Sequence, residues 1–288
     1  MLYEGELEDI GPQYVLQPTA RPKWFNAMLD DQIYRTNNAQ QSPTNKATSD
    51  VDVLALQLSA ESETLGFLDD IDAKARAGFR YNDFTYGLIS GTDRSVPPGQ
   101  PVKNLDFMTY TPYAELLYQK DRWLGSTGVS YSAFTQDIPS HSGTFYQEWV
   151  PYWALGYQWN LSDVQTLLLQ YNGDYRFTNT NPLGTPQAAD VNDKTDQSLS
   201  VVYSHILGNH WVLQPSYRLM WSGYSNSVPS GRNDIYNTFS MVVAYYFDNG
   251  ISLRAFTSYE FRNSSGTGTN FNYQNWNIGA GINAGYSF

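Results

Sequence analysis

The chain has 288 residues, a formal net charge of −11 and no cysteine. This length fits one large core or one barrel, the charge excludes a nucleic-acid groove lined by clustered Lys and Arg, and the lack of thiols excludes disulfides and thiol chemistry without assigning a compartment. Charged residues make up only 16%, against roughly 25% in ordinary soluble domains, while aromatics also reach 16%, with 23 Tyr and 8 Trp.

In chain order, residues 1 to 22 read as an extended, Pro-containing tail. It starts with the acidic MLYEGELEDI, which lacks the basic and apolar pattern of a signal peptide. Four segments then read as strands: FNAMLDDQIYRTNN, DVDVLALQLSAES, AKARAGFRYNDFTYG and LDFMTYTPYAELLYQK. Asp30 and Asp31 fall in the middle of the first and weaken it. Farther on, FYQEWVPYWALGYQW sets Trp149, Trp153, Leu155, Tyr157 and Trp159 opposite Glu148, Tyr152, Gly156 and Gln158. VQTLLLQYNGDYRF sets Leu167, Leu169, Tyr171, Tyr175 and Phe177 opposite Thr166, Gln170, Asn172, Asp174 and Arg176. The same alternation runs through WVLQPSYRLMW, ISLRAFTSYEF and the closing NWNIGAGINAGYSF. A period of two over such lengths means strands, about 12 in all. No segment approaches the roughly 18 consecutive apolar residues of a membrane helix.

The connections alternate as well. Tight turns fall at QKDR, NLSD, LGNH and FDNG, separated by long polar loops: TQDIPSHSGT, TNTNPLGTPQAADVNDKTD, SNSVPSGRND and RNSSGTGTNFNYQ. Tight turns thus recur about every 40 residues, a hairpin repeat. Propeller blades have a similar period but hold four short strands, where each period here holds two long ones.

Strands with one apolar and one polar face suit a soluble sandwich or a membrane barrel. The polar faces here are rich in Ser, Gly and Asn, as a wet lumen requires. Trp and Tyr collect near strand ends, as girdles at two bilayer interfaces would. In lipid every backbone amide must be paired, and a closed barrel is the sheet that achieves this. The expected fold is therefore all-β: an up-and-down antiparallel transmembrane barrel over residues 23 to 288, with an even strand number and both ends periplasmic.

The closing GYSF, with Tyr286 and terminal Phe288 on the apolar face, resembles the C-terminal strand signature of bacterial outer-membrane β-barrel proteins. That resemblance implies a Gram-negative outer membrane, contact with its lipid and lipopolysaccharide, and recognition of Tyr286 and Phe288 by the barrel-assembly machinery.

No catalytic constellation stands out, so the chain is not read as an enzyme. His205 lies on the apolar side of its strand and His210 in a tight turn. His141 sits between Ser140 and Ser142, which weakly resembles outer-membrane lipid hydrolases, but neighbouring strand residues point apart and no His–Ser bond is prepared. Close carboxylates in LDDQ and LDDID lack the spacing of a calcium loop, and no metal or cofactor is expected. The inward charges are more informative: Lys74, Arg76, Arg80, Glu115, Glu148, Asp174, Arg176, Arg218, Arg254, Glu260 and Arg262. Charges within a membrane barrel face water or one another. One arrangement sets a basic wall on the early and late strands against acids on the middle ones, a transverse field that would filter small polar solutes and favour anions. The other is a salt-bridged plug, since about eight strands are filled by side chains while 16 to 18 leave a channel. The leading expectation is a narrow pore for small hydrophilic or charged solutes. Its alternatives are a non-conducting docking barrel whose acidic tail binds a periplasmic partner, and a lipid hydrolase.

Overall fold

A computed structural model describes residues 24–39, 41, 46, 48–65, 70–87, 105–138, 141–180, 190–226, 231–266 and 271–288. The expected tail lies outside these residues. The strands are β1 (Phe25–Thr36), β2 (Ser49–Glu61), β3 (Asp72–Tyr86), β4 (Phe107–Lys120), β5 (Trp123–Ile138), β6 (His141–Ser162), β7 (Gln165–Thr180), β8 (Lys194–Leu207), β9 (Trp211–Tyr224), β10 (Asn233–Tyr246), β11 (Ile251–Ser265) and β12 (Tyr273–Ser287). Each pairs antiparallel with its chain neighbours, and β1 closes on β12 from Asn26↔Ser287 to Thr36↔Asn277. The fold is the expected closed twelve-stranded up-and-down barrel. Even the shortest strand, with 12 residues, exceeds the roughly 9–11 needed to cross a bilayer.

The tight turns read from the sequence all lie at the end that holds the N-terminus of β1 and the C-terminus of β12. Asp121, at φ 52°, turns the β4–β5 hairpin in the left-handed region that Asp tolerates. One loop is shorter than its sequence suggests. TQDIPSHSGT reads as an open connection, but β5 runs to Ile138 and β6 starts at His141, because Thr, Gln and His there continue the ladder, with a register shift at Phe134/Thr135.

The wall alternates as the lipid demands. On β12, Trp276, Ile278, Ile282 and Tyr286 are exposed while Asn275 and Asn277 are buried. Outward aromatics form two belts. Phe25–Phe288, Trp123–Tyr157 and Trp211–Tyr245 pack at the tight-turn end, with centroids 4.8–5.9 Å apart. Tyr81–Tyr110, Tyr131–Trp149 and Tyr259–Trp276 pack toward the loop end, at 4.9–5.8 Å. Amphipathic rings at two levels mark two membrane interfaces.

Toward the loop end of β1–β6 the inner face changes character. Tyr34, Val51, Val53, Phe84, Tyr86, Phe107, Phe134 and Tyr146 pack into one buried apolar cluster, joined by Phe256 from β11. The outer face there turns polar, with Asp31 and Arg35 on β1, Asp52 on β2, and Asp83 and Thr85 on β3.

Candidate functional site

The site is the lumen, and register decides which inward charges meet. On β3, Lys74 Nζ lies 3.2 Å from Glu61 Oε1, and Arg76 Nε lies 2.7 Å from Glu115 Oε1 on β4. Glu115 also accepts a hydrogen bond from the Tyr152 hydroxyl of β6 at 3.1 Å. The Arg80 guanidinium carbon lies 4.5 Å from the centre of the Tyr113 ring.

Across the lumen, Arg176 on β7 gathers three carboxylates: Asp196 at 3.0 Å, Asp174 at 3.4 Å and Glu148 at 3.4 Å. Asp196 is shared with Lys194, also at 3.0 Å, and Glu148 accepts from the Tyr146 hydroxyl at 3.0 Å. Arg218 faces inward on β9, in register with Ser200 of β8 and Thr238 of β10.

Toward the loop end of β10–β12, Asp234 takes the Arg232 guanidinium at 2.5 and 3.2 Å. Arg232 is held between the rings of Tyr224 and Phe271, at 4.1 and 4.2 Å. Arg262 donates to the Phe271 carbonyl at 2.8 Å and lies 4.4 Å from the centre of the Tyr273 ring. Glu260 accepts from Thr238 at 3.0 Å and from the Tyr273 hydroxyl. At the seam, Arg254 Nη2 donates to Asp30 Oδ2 at 2.5 Å and to Gln32 Oε1 at 2.9 Å.

All eleven inward charges read from the sequence lie on the inner face, but they do not form two opposed walls. The basic-wall expectation is corrected by the ladder. Arg76 sits directly opposite Glu115, and Arg176 lies next to the Asp174↔Asp196 pair, so acids and bases neutralise each other locally. Several partners escaped sequence reasoning. Lys194, Asp196 and Asp234 stood in segments read as loops, although Lys194, Asp196, Ser198 and Ser200 already show a polar alternation. Asp30 looked like a blemish in its strand, and Tyr113 and Gln57 carried no charge to mark them. Of the remaining candidates, His205 and His210 lie near the tight-turn end. His210 Nδ1 is 3.0 Å from the Tyr246 carbonyl, and the His141 side chain lies outside the described residues. Tyr286 and Phe288 point outward, with centroids 5.6 Å apart.

Burial divides the lumen into two parts. Toward the loops, inward side chains are shut away: Phe84, Asp234, Tyr236, Glu260 and Ser222 are at most 2% exposed. Toward the tight turns, Gln57, Ser126, Ser130, Gln170, Asn172, Ser198, Ser200, Gln214, Ser216, Ser240 and Asn283 are half-buried. Small polar side chains left partly exposed inside a closed wall face water.

No family model and no curated protein sequence matches the chain. Solved structures do. An outer membrane channel from Pseudomonas putida F1 aligns over 94% of this chain and 100% of that one, with a TM-score of 0.58 and 10% identity. The β domain of the Bordetella autotransporter BrkA aligns over 92% of this chain and 100% of that one, with a TM-score of 0.50 and 16% identity. Likeness at these identities concerns the fold. What the two structures share with this chain is a closed membrane-type β-barrel, in keeping with its apolar, aromatic-belted exterior.

Proposed function

We propose that the protein is a narrow outer-membrane pore for small hydrophilic or charged solutes. The observation that carries this reading is the half-buried Ser, Asn and Gln lining of the inner face toward the tight turns. A barrel filled by side chains would bury that lining. A water-filled one leaves it wet. Its inward cations are largely matched by acids, which points to a pore that sorts by size and local chemistry rather than by a strong field. The Pseudomonas protein with a similar fold is an outer membrane channel, which is consistent with it.

A second reading, a non-conducting barrel, draws on the packed loop end, where Tyr236 and Glu260 are almost wholly buried. In that reading the acidic tail would dock a periplasmic partner. Planar-bilayer recording of the refolded protein separates the two: discrete conductance steps support the pore, and a silent barrel supports the plug. A lipid-hydrolysis assay on the same preparation is expected to show no activity.

Assembly is a further part of the proposal. Phe288 stacks on Phe25 at 5.9 Å, so it is also part of the seam. Deleting Phe288 is expected to cut outer-membrane yield in cells while refolding into detergent survives. Equal yield would remove the assembly-signal role.

A further inference from the structure

Two inward arginines on β3 have different fates. Arg76 stands opposite Glu115 and Arg80 opposite Thr111. Glu115 is engaged by Arg76 at one oxygen and by the Tyr152 hydroxyl at the other. Among the described residues, no carboxylate lies within ion-pair distance of Arg80, whose guanidinium rests instead over the Tyr113 ring at 4.5 Å.

The surroundings hold this arrangement in place. The Tyr113 hydroxyl accepts from Gln57 Nε2 at 3.2 Å, and the residue is only 5% exposed. A Cβ at Gly78 would fall 2.6 Å from the Cζ and hydroxyl of Tyr113, so that glycine leaves the space the ring fills. A Cβ at Gly128 would fall 2.7 Å from both Glu115 Cβ and the Tyr152 hydroxyl, so this glycine makes room for Tyr152 to reach Glu115. Two glycines thus let two tyrosines lie against the wall, one supporting Arg80 and the other occupying the second oxygen of Glu115.

Arg80 is half-buried and is the last charged inward residue of β3 before Phe84 and Tyr86 enter the apolar cluster. A guanidinium stays charged at any working pH, and its planar fork matches a carboxylate through two parallel hydrogen bonds. Partial exclusion of water strengthens that attraction. The geometry points to Arg80 as the carboxylate-binding subsite of the pore, supported by Tyr113 and Gln57 and set where the wet lumen meets the packed end. The inference rests on the pore reading and names its solute class: small organic monocarboxylates.

The test uses the full chain refolded in detergent, titrated calorimetrically with benzoate, neutral benzamide and inorganic phosphate, with bilayer conductance measured in parallel. Benzoate is expected to bind and benzamide not. Arg80→Gln should weaken benzoate by about tenfold or more, since the lost bonds are charge-assisted. Arg80→Lys, which keeps the charge without the fork, should weaken it less and serves if the Gln variant fails to refold. Lys120→Gln, which removes an exposed outward cation at the end of β4, should leave benzoate binding unchanged. Equal benzoate affinity in wild type and Arg80→Gln, or tighter binding of phosphate than of benzoate, overturns the assignment. Benzoate binding by a silent barrel would sink the pore reading and keep the subsite. Conductance without benzoate binding would do the reverse.

Discussion

Along β2 the outward residues toward the tight turns are Leu58, Leu56 and Leu54, and the next outward position toward the loops is Asp52. The inward residues run the other way, from Ser59, Gln57 and Ala55 to Val53 and Val51. On β3 the outward sequence Ala77, Phe79, Tyr81 gives way to Asp83 and Thr85, while Arg76 and Arg80 inside give way to Phe84 and Tyr86. One end of the barrel is apolar outside and polar inside, as lipid and a wet lumen demand. At the other end β2 and β3 are polar outside and apolar inside, as in a soluble protein. The exchange falls at the Tyr81–Tyr110 belt, so β2 and β3 reach past the apolar band, and the inner face of β1–β6 closes there around a small core. Opposite that core, the β7–β11 wall is packed with ion pairs instead. The solvent on each side, and not the strand, sets which face is apolar.

The largest effect is expected from emptying the core. Phe84→Ala, at a site 2% exposed, is expected to cost about 3–5 kcal/mol, the usual toll of a deleted buried ring. Ser200→Ala, in the wet half, should stay within about 0.5 kcal/mol, as surface changes do. Urea unfolding of the refolded barrel measures both, and equal costs would mean that the two halves are packed alike.

The next largest effect locates the membrane edge. Leu56→Arg, on the lipid side of the exchange, should destabilise by about 2–4 kcal/mol if it lies near the bilayer midplane. Asp52→Arg, two outward steps toward the loops, should cost less than about 1 kcal/mol. Reversed costs would place the lipid on the wrong side of Leu54. The smallest effect concerns Asp31, an exposed outward residue paired with Ile282 of β12. Asp31→Leu should change stability by no more than about 1 kcal/mol, since an outward acid near an interface, here beside Asp52, costs little. A gain well beyond that would put Asp31 in the hydrocarbon core.

Much of the fold was legible because lipid and lumen act on each residue locally. Trp276, Ile278 and Ile282 alternate with Asn275, Asn277 and Gly281 within a single strand, and the turns recur at a fixed interval. What was not legible depended on distance along the chain. Asp30 makes sense only beside Arg254, 224 residues away, and Arg76 only beside Glu115. The expected opposed walls failed for this reason, because register between neighbouring strands mixes charges that a linear reading keeps apart. The run from Val53 to Leu56 shows a second limit: four successive apolar residues look like a fault in the alternation, yet the phase reverses within them. Tyr113 and Gln57 gave no signal because their role is to hold a neighbour.

Single-channel recording in a planar bilayer tests the central claim most directly. The half-buried polar lining toward the tight turns predicts discrete conductance steps in wild type, and thinning the packed end with Phe84→Ala is expected to enlarge them. A barrel that inserts, resists unfolding and carries no current in either form would contradict the account, leaving the buried cluster as a permanent plug.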